Sequence, residues 1–269
     1  MGIIKSHSDK NALQQAGRIT QNVLDTLGKM LFPGLSTVEL EISANRILSQ
    51  SRSTAPFKSY HGFNHAICVS LNDEIVNGPP SRERKIQAGD VISIATAAEY
   101  RGIHAKAART FYVNPDQNTS SWPEPVRRLI QGTDAVIQAA VQKRQHCQTL
   151  NQLLTVVPET AQTFGLTLIQ NMGGAGIGKK LHENPPIPND PEDLTETIPL
   201  QPGLCFTLMP MFCLGSDPAY RESEDGWTFI TNDGSLSAHF ADTLLITDDG
   251  VINVTRSSAE NPSATLSSS

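Results

Sequence analysis

Residues 90–111 read DVISIATAAEYRGIHAKAARTF, and the rest of the chain arranges itself around them. Val91, Ile92 and Ile94 form an apolar, β-branched run, Arg101-Gly102 marks a turn, and the return run ends in Phe111-Tyr112-Val113. Two such runs about one turn predict a β-hairpin. Upstream, Leu13, Ala16, Ile19, Val23, Leu24, Leu27 and Leu31 recur at the three-to-four spacing of one buried helix face, which predicts a helix from Ala12 to Leu31. Pro33-Gly34 breaks it, and Ser36-Thr37-Val38-Glu39 is a capping box that opens a second helix through Ile42, Ile47 and Leu48. Downstream the same order returns: Pro125 opens a face made by Val126, Leu129, Ile130, Val136, Ile137 and Ala140, and another helix follows near Leu150 and Leu153. Pro158 is expected to kink or end that last helix.

The repeated helix pair predicts an α+β fold, one domain over residues 9–256 with an internal pseudo-two-fold repeat around a curved, mainly antiparallel sheet, and a cleft between the halves. Residues 1–8 are read as an N-terminal extension. Residues 184–203, rich in proline and acid, are read as a loop across the cleft mouth, and residues 257–269 as a disordered tail. A net charge of −6 argues against nucleic acid or an anionic membrane as partner. No CxxC spacing joins Cys68, Cys147, Cys205 and Cys213, and no apolar run reaches the length of a membrane span or a signal-peptide core, so a cytoplasmic protein is expected. Gly2 with Ser6 matches an N-myristoylation pattern, and Asn118 and Asn253 begin glycosylation sequons.

Several motifs in order resemble the type I methionine aminopeptidases, two-metal enzymes of the creatinase/aminopeptidase superfamily with the pita-bread fold. Tyr60-His61-Gly62-Phe63 resembles the family's YHGY, Cys68 to Asn72 its CISIN strand, and Gly174 to Gly178 with His182-Glu183-Asn184-Pro185 its GHGIG and HEEP. Phe206 to Met211 resembles FTIEPM, Asp225 to Thr228 DGWT, and Ser235 to Ala238 SLSA, over about residues 9 to 256. The resemblance puts the family's five metal-ligand positions on Ala95, Lys106, Ala175, Met209 and Ala241, none of which suits a dication. The family's substrate-contacting histidine before the hairpin falls on Asn77.

The positions that line the family's methionine pocket are here Tyr60, Phe63, Cys68, Leu181 and Trp227, although aromatic residues also serve as plain core. His61 and His182 match family histidines that touch substrate and transition state. Strand alternation sets His104 beside Lys106 and His239 beside Ala241, so four histidines are expected at one cleft. The functional expectation is a methionine aminopeptidase-like chain without metallopeptidase activity and with no metal or cofactor. Its net positive cleft would bind a small organic or amino-acid-derived ligand, anionic in character, with metal-independent acid–base chemistry carried by Lys106, His61, His182 and His239. The alternative is a non-catalytic pseudoenzyme acting as a peptide-binding or protein-interaction module. Lys106 reaching out to solvent would empty the first reading.

Overall fold

A computed structural model describes residues 2–114 and 119–256. Two helices lead, α1 (His7–Lys29) and α2 (Thr37–Gln50), followed by β1 (Ile67–Leu71), β2 (Glu74–Val76) and the hairpin of β3 (Val91–Tyr100) and β4 (Ile103–Tyr112). Three helices follow: α3 (Glu124–Lys143), α4 (Leu150–Leu154) and α5 (Val156–Phe164). The remainder is strand: β5 (Thr167–Leu168), β6 (Gly173–Gly176), β7 (Glu183–Pro188), β8 (Cys205–Leu208), β9 (Met211–Cys213), β10 (Tyr220–Glu222) and β11 (Phe229–Thr231). β12 (Ser237–His239), β13 (Asp242–Thr247) and β14 (Gly250–Asn253) close the described chain. The fold is α+β, and every strand pairing is antiparallel.

The hairpin forms as its pattern requires. Its ten-residue strands pair from Val91↔Tyr112 to Tyr100↔Ile103 across the Arg101-Gly102 turn, where both residues have positive φ. α1 buries Leu13, Ala16, Ile19, Val23, Leu24 and Leu27, and packs on β3 and β4. α2 begins with the Ser36/Glu39 capping box, the Glu39 carboxylate accepting from Ser36 N–H at 2.8 Å. The second helical region breaks at Thr155, between α4 and α5, three residues ahead of Pro158. The Pro158 ring would meet the carbonyl four residues back, that of Leu154, the last residue of α4.

Two expectations need correcting. Residues 184–203 do not all form a loop: β7 pairs with β6 at the edge of the five-stranded sheet β14-β13-β8-β6-β7. An edge strand accommodates proline because one side of its ladder has no partner, and none of residues 184–203 lines the cavity described below. The segment before residue 9 is built into the fold, with Ile4 fully buried and Ile3 bridged to Leu204. Gly2 N–H donates to Asn184 O at 2.8 Å, and a Cβ at Gly2 would lie 2.4 Å from Cys205 O, so this end is wedged between strands. Asn253 is buried and closed to a glycosylating enzyme; Asn118 and residues 257–269 lie outside the described residues. Among the described residues no helix is long and apolar enough to cross a membrane.

Candidate functional site

A cavity of about 400 Å³ opens between the two halves, floored by the hairpin and roofed by the segments around Tyr60, His182 and Trp227. Its walls include all six expected pocket residues, Tyr60, Phe63, Cys68, Asn77, Leu181 and Trp227. Phe63 and Trp227 meet edge to face with centroids 5.1 Å apart, and Trp227 N–H is fixed by Asp225 Oδ1 at 2.8 Å. Sequence reasoning missed Phe57, Val76, Met172, Met211, Tyr220 and Phe229, which complete the apolar wall. They come from short strands and loops and look like ordinary core in a sequence; only pairing brings them here.

At the rim, Tyr60 and His182 share a hydrogen bond between the phenol oxygen and Nδ1 at 2.6 Å, and His61 stacks edge-on against Tyr60. His182 presents an edge to solvent, yet its imidazole is drawn down to about 4, by desolvation first and then by Lys106 and His61. His61, Asn77 and Asn171, all in the lining, hold positive φ without being glycine. Strained backbone of this kind persists where surrounding structure enforces it, and it collects at ligand sites.

At the floor stand Lys106, His239, Cys68, Ala95 and Met209. Lys106 does not reach solvent: it is 9 % exposed, and burial lowers its ammonium to about 8. Cys68 is pushed up to about 12, by burial above all, so it is a thiol and gives Lys106 no counter-charge. His239 is pulled down to about 3, by burial and then by Lys106, and is a neutral imidazole. The floor is rigid: Thr243 Oγ1 accepts from Lys106 N–H at 3.0 Å and donates to Lys106 O at 2.8 Å, while Thr110 Oγ1 accepts from His239 N–H at 2.9 Å.

The structure gathers fewer residues than expected. His104 leaves the group, its Nδ1 engaging Gly178 O at 3.0 Å outside the cavity. Ala95, Lys106 and Met209 line the cavity, whereas Ala241 is buried in a bridge to Ala108 and Ala175 sits in β6 opposite Pro186. Strand register accounts for part of this, since Lys106 pairs with Ala97 and Ala95 with Ala108, a diagonal that still shares one face. Among the described residues no group of three or more His, Cys, Asp or Glu side chains is placed to hold a metal ion. The floor offers an ammonium, one imidazole and one protonated thiol, and no carboxylate among the described residues lines the cavity, a set that does not fit a pair of dications.

An antiparallel α+β shell thus carries an apolar, side-chain-sized cavity over its central hairpin. Residues 11–248 match Metallopeptidase family M24, and the chain belongs to that family. It is 32% identical over 250 residues to a methionine aminopeptidase of Clostridium acetobutylicum, covering 93% of this chain and 97% of the relative. It is also 32% identical to methionine aminopeptidase 1 of Bacillus subtilis, covering 95% of this chain and 100% of that one. The crystal structure of methionine aminopeptidase from Thermotoga maritima superposes with a TM-score of 0.88 at 31% identity, covering 96% of this chain and all of the other. The pita-bread fold follows. These full-length relatives overturn the expected function: they support a methionine aminopeptidase function, in place of a chain without metallopeptidase activity, a pseudoenzyme or metal-independent chemistry.

Proposed function

We propose that the cleft receives the side chain of an N-terminal methionine, the residue for which the relatives are named, and that the chain's function is of the methionine aminopeptidase class. The observation that carries this is the apolar cavity itself, with Phe63, Trp227, Cys68, Met209 and Leu181 around a space of about 400 Å³. An unbranched thioether fits such a lining, since sulfur and aromatic surfaces attract and a flexible chain adapts to an irregular wall. Tyr60, His61 and His182 at the rim stand where the peptide beyond the first residue would pass, and Tyr60 and His182 form a polar pair there.

The same proposal takes Ala95, Lys106, Ala175, Met209 and Ala241 as the family's five metal-ligand positions, three of which, Ala95, Lys106 and Met209, line the cavity. It also places the chain in the cytoplasm, since its four buried cysteines are unpaired, as a reducing compartment leaves them. The test is titration of Met-Ala-Ser against tryptophan fluorescence, run beside an assay for methionine release with added Co²⁺ or Mn²⁺ and with chelator. Saturable quenching that Trp227→Ala abolishes, and that Asp-Ala-Ser does not produce, is expected. No quenching by Met-Ala-Ser overturns the pocket; release of methionine is expected of the aminopeptidase class and its absence overturns that class, while a requirement for added metal overturns only the assignment of the five positions.

A further inference from the structure

The cavity floor holds one formal positive charge and nothing that answers it. Among the described residues no carboxylate lies within ion-pair distance of the Lys106 ammonium, which sits over the Phe57 ring, 5.8 Å from its centroid. Cys68 is a neutral thiol, and the carboxylate that acts on that thiol, Glu41, already accepts from Ala66 N–H at 3.0 Å, Ile67 N–H at 3.2 Å and Asn45. A second group is equally unsatisfied. His239 is 1 % exposed, lines the same floor, and its Nε2 has no hydrogen-bond partner among the described residues. A buried cation and a buried orphan imidazole nitrogen each carry a desolvation cost that a single bound anion removes.

We infer that Lys106 and His239 form a carboxylate-binding subsite at the closed end of the cavity, so that the chain retains acids carrying a methionine-length apolar tail. The ammonium pairs with one carboxylate oxygen, and the Nε2–H tautomer of His239 donates to the carboxylate as well. The main chain of both residues is held by hydrogen bonds to the hydroxyls of Thr243 and Thr110, so the strands that carry the two side chains are fixed before the ligand arrives. The inference rests on the reading of the apolar pocket as the side-chain site. It goes beyond that reading by naming the charge that sits next to the side chain: a free carboxylate, as in a released amino acid, is held more firmly than an amide or ester of the same shape.

The probes are 4-(methylthio)butanoate and its primary amide, which share the thioether chain and differ in charge. Each is titrated calorimetrically into the full chain at pH 7. The acid should bind at least tenfold more tightly than the amide, and Lys106→Met should erase that preference while leaving amide affinity within about twofold. Lys106→Arg, which keeps the charge, should keep the preference for the acid. An amide that binds the parent chain as well as the acid overturns the subsite and leaves the apolar pocket standing, a comparison that needs no variant to fold. Failure of both probes to bind overturns the pocket and the subsite together.

Discussion

Lys106 is drawn from 10.5 down to about 8 by burial. Its folded value lies below its unfolded one, so between about pH 8 and 10.5 the unfolded chain holds more protons and stability rises with pH. Below pH 8 the full cost stands, on the order of 3 kcal/mol for a shift of this size. Lys106→Met should therefore stabilise the ligand-free chain at pH 7, by up to that amount, and the gain should shrink towards zero near pH 10.5. Urea denaturation of both chains at pH 7 and pH 10 reads this directly; an equal difference at the two values would mean that the side chain escapes to water. Ligand binding should show the same proton. An anion restores the charged lysine, so affinity for 4-(methylthio)butanoate should fall about tenfold per pH unit above pH 8. Of the neighbouring groups, His239 and His182 lose their protons far below that window and Cys68 above it.

Among the elements, β6 is the tightest fit, because it runs between β7 and β8 with glycine at three of its four positions. A Cβ added at Gly174 would lie 1.8 Å from the backbone oxygen of Thr207, and a backbone atom cannot rotate out of the way. Gly174→Ala must push β6 from β8, and we expect a loss of roughly 3 kcal/mol, as for other overpacked sites. A denaturant midpoint equal to the parent's would show that the strands separate freely. Legibility in the sequence followed element length. The helix faces of α1 and α3 and the ten-residue hairpin repeat their pattern often enough to be read, and the capping box of α2 is a local chemical signal. β5, β9, β11 and β12 have two or three residues each, too few to show a period, yet β9 and β11 carry Met211 and Phe229 into the cavity wall. β7 was hidden by its prolines, which mark an edge strand as readily as a loop. The family resemblance put Lys106, and alternation with Ala241 put His239, among the cleft candidates, whereas His104 is drawn away by a tertiary hydrogen bond that no spacing announces.

Across the whole molecule the two halves are tied through one buried carboxylate. Asp242, fully buried at the start of β13, accepts from Arg109 of β4 at 2.7 Å, from Arg256 Nε at 2.7 Å and from Thr255 Oγ1 at 2.6 Å. Arg256 continues to Asp134 on α3, so two guanidinium groups and two carboxylates balance across β4, β13, α3 and the end of the described chain. Burial alone would raise the Asp242 carboxyl, but Arg109 and Arg256 outweigh it and hold it below the usual range. Because the folded value is depressed, its stabilisation stands above the unfolded value of 3.8 and is lost as pH falls through the lower folded one. Asp242→Ala should then cost about 3–5 kcal/mol near neutral pH, since it leaves Arg109 and Arg256 facing each other without their shared partner. Asp134→Ala should cost much less, because Asp134 is 26% exposed and water replaces part of what it gives. The loss at Asp242 should also reach the cavity. The next residue, Thr243, holds both the N–H and the carbonyl of Lys106, so a shifted β13 moves the ammonium at the floor. Guanidinium unfolding of the two variants measures the first difference, and acid-over-amide preference in Asp242→Ala measures the second. Equal costs for the two substitutions, or an unchanged preference in a destabilised Asp242→Ala chain, would show that the network secures the shell without setting the position of Lys106.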